Sequence, residues 1–266
     1  MSDKSLFPDL IKSASDAAQA NIPETVQQTD SAISSIVGFF NNVVLYPVKK
    51  ANLTFKYKLE NFENDLKEKL KDVPEENLQE PPVSVAGPAL EALRYTYDEE
   101  ELREMYENLL ASAMDTRKVS QTHPAFVDAI KQMSPLDAKI MKIISERRQL
   151  RCARIRFQIK NTDKEYSNGM PDYFVAELST IENPFIVSSS ITNLARLGIV
   201  DVIDGTIRGQ DYESLKTDPY VVKRFEEFKE FGNEIELKMS PKVLTINNYG
   251  NNFASVCLSE EIVHAD

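Results

Sequence analysis

Apolar positions recur at helical spacing through the first half of the chain and give way to shorter, mixed runs after Ser134. Residues 1–30 are rich in Ser, Ala, Gln and Asp and weakly patterned, which predicts a mobile or loosely helical arm. Ser31 to Val48 holds no charged residue, and Ile33, Ile36, Val37, Phe40, Val43 and Val44 fall on one face of a helix. A second stripe, Phe55, Leu59, Phe62, Leu66, Leu70 and Val73, keeps one face apolar for about five turns. Lys and Glu fill its other face, with Glu63 and Lys67 placed as a favourable i,i+4 pair. Pro74 ends that helix, and Pro81, Pro82 and Pro88 predict an extended link. Asp98, with Glu101 three residues on, reads as an N-cap and its return partner. The helix it opens presents Leu102, Tyr106, Leu109, Leu110, Ala113 and Met114 inward, with Glu100, Glu104 and Glu107 as a solvated acidic ridge.

Beyond Ser134 the pattern shortens. Ser134-Pro135 opens a helix with Leu136, Ile140, Ile143 and Ile144 inward. An alternating run with Cys152, Ile155, Phe157 and Ile159 follows among basic residues, then a short helix near Tyr173 to Leu178. Ser188 to Leu197 predicts a helix stopped by Gly198, and IVDVIDGTIRG predicts a hairpin turning at Asp204-Gly205. Helix, strand, helix, helix, hairpin is the order of a winged helix. Thr217-Asp218-Pro219 then opens a helix with Val221, Phe225 and Phe228 inward, closed by Gly232. Two short strands, Ile235 to Met239 and Val243 to Ile246, and a terminal helical turn with Phe253, Val256 and Cys257 complete this half. The fold class expected is mainly α, an N-terminal helical half packed on a C-terminal α+β winged-helix-like half. The domains fall at 1–30 (arm), 31–132 (helical domain), 133–258 (winged-helix-like domain) and 259–266 (tail).

Charge changes this picture by where it sits. The chain has 42 acidic and 31 basic residues, a net −11, which opposes nonspecific binding to phosphate backbones. Glu60 to Leu110 holds 15 acidic against 5 basic residues, and Ser134 to Lys160 holds 8 basic against 2 acidic. Either the two halves complement each other or the basic run recruits a partner.

Candidate chemistry is sparse. Cys152 and Cys257 are the two cysteines, far apart, which fits a reducing cytoplasm better than a disulfide framework. The opening MSDKSLFPDLIKSASD lacks the apolar run of a secretion signal. His123 and His264 stand apart, so a histidine metal site or a Ser-His dyad is poorly supplied. No glycine-rich phosphate loop, nucleophile elbow or zinc-protease motif occurs. The expectation is no enzyme, no cofactor and no metal site.

Several ordered pieces of wording resemble the abortive infection alpha (Abi-alpha) family of bacterial proteins, associated with defence against phage. They are Tyr46-Pro47 with the amphipathic helix after it, Ala89-Leu90-Glu91-Ala92-Leu93, Glu101-Leu102 and Asn108-Leu109-Leu110-Ala111-Ser112-Ala113-Met114. Further on come His123-Pro124, Ser134-Pro135-Leu136-Asp137-Ala138, Asn193-Leu194-Ala195-Arg196-Leu197-Gly198, and Leu244-Thr245 with Gly250, Phe253 and Cys257. The likeness spans roughly residues 37 to 258 and departs at Asn247-Asn248-Tyr249, where Pro and Phe are the expected wording. It implies a setting in phage defence and brings no catalytic residues to carry over.

Four functional readings follow. The first is a cytoplasmic defence protein acting through a protein partner of phage or host, with self-association through amphipathic helices as a variant. The second is nucleic-acid binding, with Arg147, Arg148, Arg151, Arg154 and Arg156 as a basic contact strip and Ser189, Thr192, Asn193 and Arg196 on a recognition helix. A single basic residue on that helix weighs against it. The third is membrane action through the 31–48 helix, and the last is catalysis.

Overall fold

The computed structural model of the chain describes residues 33–34, 36–38, 53–166, 168–231 and 234–258. The arm, the tail, Gly232, His264 and most of the Ser31–Val48 segment lie outside the described residues, as do the side chains of Phe55 and Leu59. Ile33 and Ile36 are helical and buried, with Ser34 exposed between them. Among the described residues no helix is long and apolar enough to cross a membrane. The protein is mainly α, with an α+β part towards its C-terminal end. Two compact units divide it: Met1–Gln132 with Ser255–Asp266, and Met133–Ala254.

The first unit is built on α1 (Leu53–Leu70), α2 (Val83–Thr96), α3 (Glu100–Ala113) and α4 (Pro124–Lys131). The second apolar stripe does its expected work: Phe62, Leu66 and Leu70 of α1 are buried, and Glu63 and Lys67 pair at 2.6 Å on its outer face. α3 is the hub, packed against α1, α2 and α4 and burying Leu102, Tyr106, Leu109 and Leu110. Its Asn108 amide donates to the Cys257 carbonyl and its Ser112 hydroxyl to the Val256 carbonyl, both at 3.1 Å. These side chains satisfy open carbonyls at the end of the last described helix. His123 caps α4, its Nδ1 accepting from Ala125 N at 3.0 Å.

Three expectations in this unit are corrected. Pro88 does not lie in an extended link but inside α2. Its missing N–H would have bonded the carbonyl of Ser84, which is exposed, while Val85, Ala86, Ala89, Leu90, Ala92 and Leu93 bury one continuous stripe that outweighs the loss. Asp98 does not cap α3; the helix starts at Glu100 without a side-chain cap, and Asp98 instead meets Lys58 Nζ of α1 at 2.5 Å. Glu107 leaves the solvated ridge: it is 3 % exposed, because α3 is enclosed on the side where α1 packs.

The second unit opens with α5 (Pro135–Arg147), started by a full capping box: Ser134 Oγ accepts from Asp137 N and Asp137 Oδ2 accepts from Ser134 N. Then come β1 (Gln149–Ile159), a 3-10 turn at Ala176–Leu178, α6 (Pro184–Arg196), β2 (Val200–Asp204), a 3-10 turn at Glu213–Thr217, α7 (Pro219–Lys229), β3 (Ile235–Ile246) and α8 (Asn248–Cys257), whose residues from Ser255 on belong to the first unit. The sheet is antiparallel in the order β1-β3-β2. α6 starts earlier than its periodicity predicts, because Asn183 caps it and Pro184 fills its first turn.

The predicted hairpin at Asp204-Gly205 does not form. β2 pairs with β3, Val200 opposite Ile246 and Asp204 opposite Lys242, and the residues between them fold as the 3-10 turn and α7. α7 covers the sheet instead, and with Phe157, Ile155, Met170, Phe174, Tyr212, Leu215, Val221 and Ile235 it builds an aromatic-rich core. Phe157 meets Phe225 at 5.3 Å and Phe228 at 5.5 Å, edge-on and tilted.

β3 is also one strand, not two. Pro241 does not break it, for a reason readable in the ladder. Ala153, its partner on β1, turns both backbone groups outward to Phe174 at 2.9 Å, so Pro241 likewise faces away from β1 and no β1–β3 bond is lost. On its other side β2 has already ended at Asp204.

Candidate functional site

The junction between α5 and β1 concentrates the polar chemistry of the second unit. α5 ends not on glycine but on Arg148, whose backbone is left-handed at φ 64° and whose N–H bonds the Ile144 carbonyl at 2.8 Å. Arg148 O accepts from Thr245 Oγ1 at 3.3 Å, joining the helix end to the sheet. The turn sets Arg147, Arg148 and Arg151 around a cleft of about 600 Å³ that Gln149, Glu177, Gln210, Thr245 and Asn251 also line.

Each arginine is held differently. Arg151 Nε donates to Glu177 Oε1 at 3.0 Å, and its Nη1 donates to the Asp211 carbonyl at 2.5 Å and to Ser214 Oγ at 3.3 Å. Arg148 Nη1 donates to Asn251 Oδ1. Arg147 is exposed, and its guanidinium meets no hydrogen-bonding or ionic partner among the described residues. Glu177 Oε2 is buried without a hydrogen bond.

The predicted basic strip is therefore divided. Strand alternation sends Arg151 to one side of the sheet and Arg154 and Arg156 to the other. Arg156 is paired with Asp172 at 2.6 Å, with Glu165 at 3.7 Å, and Arg154 is exposed. Cleft and strip share Arg147, Arg148 and Arg151. Periodicity gave no sign of Glu177, Gln210, Thr245 and Asn251, which reach the cleft from four separate segments.

On the predicted recognition helix, α6, the polar side chains are occupied within the unit. Ser189 Oγ donates to the Phe185 carbonyl at 3.0 Å and Thr192 Oγ1 to the Ser188 carbonyl at 2.9 Å. Asn193 Nδ2 donates to Asp137 Oδ2 at 3.0 Å, tying α6 to the capping box of α5, and its Oδ1 accepts from Arg196 Nη2 at 2.8 Å. The outward face also carries Ile186, 50 % exposed.

Both thiols are buried, and burial pushes Cys152 up to about 12 and Cys257 well above its ordinary value. At pH 8 a thiol reagent is expected to modify the native chain on the order of a thousandfold more slowly than the urea-unfolded chain. Equal rates, measured by reagent release, would contradict the burial. Among the described residues no group of three or more His, Cys, Asp or Glu could hold a metal ion.

The family model for abortive infection alpha matches residues 54–257. No curated protein sequence matches the chain. A solved structure, that of an uncharacterized protein from the hydrocarbon-degrading marine bacterium Alcanivorax borkumensis SK2, aligns at 14 % identity and a TM-score of 0.31, over 53 % of this chain and 96 % of that one.

Proposed function

Because this chain belongs to the abortive infection alpha family, and is thus an abortive-infection-type defence protein, we propose that it acts by docking on a protein component of phage or host. The observation that carries this reading is the outward face of α6. Ile186 stands half-exposed beside hydroxyls already bonded to their own helix, and the one basic side chain, Arg196, is held by Asn193. Such a face offers apolar area and little free charge, which suits a protein surface better than a phosphate backbone.

The order of elements supports α6 as the presenting helix. We read helix α5, strand β1, a short turn, helix α6 and two further strands, with β3 between β1 and β2, as a winged-helix-like order whose third helical piece is α6. The wing of that plan is replaced here by the segment carrying α7. The charge agrees: Met133–Ala254 has 17 basic and 17 acidic residues, so the net −11 falls wholly on the rest of the chain.

Phage challenge with Ile186→Asp tests the reading. The charge is placed at an exposed site, so the variant is expected to melt within about 0.5 kcal/mol of the native protein. Its protection should fall by tenfold or more in plaque counts, with about 1.4 kcal/mol of lost binding giving each tenfold. Undiminished protection, or salt-sensitive binding of duplex DNA that Ile186→Asp leaves intact, would overturn it.

A further inference from the structure

The cleft at the α5–β1 junction carries an inference separate from docking through α6. Its walls hold three guanidinium groups and one carboxylate, Glu177. Glu177 neutralises Arg151, and among the described residues Arg148 meets only the neutral amide of Asn251. Arg147 has no partner among the described residues. Two positive charges therefore converge on the cleft uncompensated. Arg148 adds a second sign: its left-handed backbone is a conformation that glycine would take at less cost, and strained residues of this kind cluster at ligand sites.

We infer that this cleft binds an organic phosphate of nucleotide size. The phosphate lies against Arg147 and Arg148, whose forked donors suit phosphate oxygens. The volume of about 600 Å³ is that of a small-molecule site. The amides of Gln149, Gln210 and Asn251 give the rest of such a molecule both donors and acceptors. A nucleic-acid strand fits less well, since Arg154 and Arg156 face the other side of the sheet and cannot extend the same track.

Titration of the full chain by calorimetry tests this, with inorganic phosphate, nucleoside mono- and triphosphates, sugar phosphates and a short DNA duplex as probes. At least one organic phosphate should bind saturably with one molecule per chain, and about tenfold or more tighter than inorganic phosphate. Arg147→Gln and Arg148→Gly should each weaken it about tenfold, and Arg154→Gln should change nothing. Arg148→Gly should melt no lower than the native protein, so its lost affinity would not reflect unfolding. The proposal fails if none of the organic phosphates binds, if the duplex binds and they do not, if inorganic phosphate binds as tightly, or if Arg147→Gln/Arg148→Gly binds undiminished. None of these outcomes touches the α6 reading, which Ile186→Asp decides.

Discussion

Gly250→Ala should destabilise the second unit by about 3 kcal/mol or more, at the upper end of what overpacking costs. A Cβ at this position would lie 2.0 Å from the Ile199 carbonyl oxygen and 2.9 Å from Ile246 Cγ1. Neither neighbour can yield cheaply. Ile199 is buried, and its carbonyl follows Gly198, the left-handed residue at φ 73° that stops α6. The first turn of α8 is fastened to the same spot: Asn247 Nδ2 donates to the Gly198 carbonyl at 2.9 Å, and Asn247 Oδ1 accepts from Gly250 N at 2.9 Å. One methyl group must therefore shift either the end of α6 or the start of α8 by about an ångström, breaking those bonds. Urea unfolding followed by far-UV circular dichroism would measure the loss. A midpoint unchanged from the native protein would show that the close approach is not there.

Glu107→Gln should act in the opposite direction and only above acidic pH. Burial raises Glu107 from its ordinary 4.5 to about 7, with Asp65 adding repulsion that Lys69 and Arg103 only partly offset. Arg103 Nε stands 3.6 Å from Glu107 Oε1, too far for a hydrogen bond, and both atoms are buried without one. Between pH 4.5 and 7 the folded chain keeps a proton that the unfolded chain has released, so stability falls as pH rises through that window and is level above it. The span corresponds to about 3 kcal/mol, at 1.36 kcal/mol per pH unit. Glutamine keeps the shape without the charge. The variant should gain up to about 3 kcal/mol over the native protein at pH 8, and the gap should close near pH 4.5. Subtracting the native curve removes every other titrating group. A gap that stays constant with pH would mean that Glu107 is not held in a proton-favouring site.

How much of this was legible in the sequence depends on how local the cause is. The stripe Phe62, Leu66 and Leu70 and the inward face of α3 were readable because a 3.6-residue period and burial express the same geometry. The family resemblance was readable for a similar reason, since its pieces are short runs in fixed order, and the family match over 54–257 agrees with it. The Asp204-Gly205 turn misled because the dipeptide reports only that the chain can reverse, while the true partner of β2 lies beyond a whole helix. Pro88 and Pro241 misled differently. In each case proline removes a donor, and whether that matters depends on neighbours that local sequence does not name. At the cleft, Arg147, Arg148 and Arg151 stood out as a charge run, whereas Glu177 and Asn251 are ordinary polar residues until the sheet gathers them. Glu107 looked like its exposed neighbours because heptad position fixes a face only when one side of the helix is covered, and α3 is covered on several.

The carbonyls of Val256 and Cys257, received by Ser112 and Asn108, have a consequence for the order of assembly. The helical unit is discontinuous: it is left at Gln132 and re-entered at Ser255. Its hub helix must therefore wait, during synthesis, until all of Met133–Ala254 has been made before its last contacts can close. Closing so large a loop carries an entropic cost that grows with the logarithm of its length, and contacts this distant in sequence form late. The nascent helical bundle thus spends that interval without the bonds from Asn108 and Ser112 to the Cys257 and Val256 carbonyls.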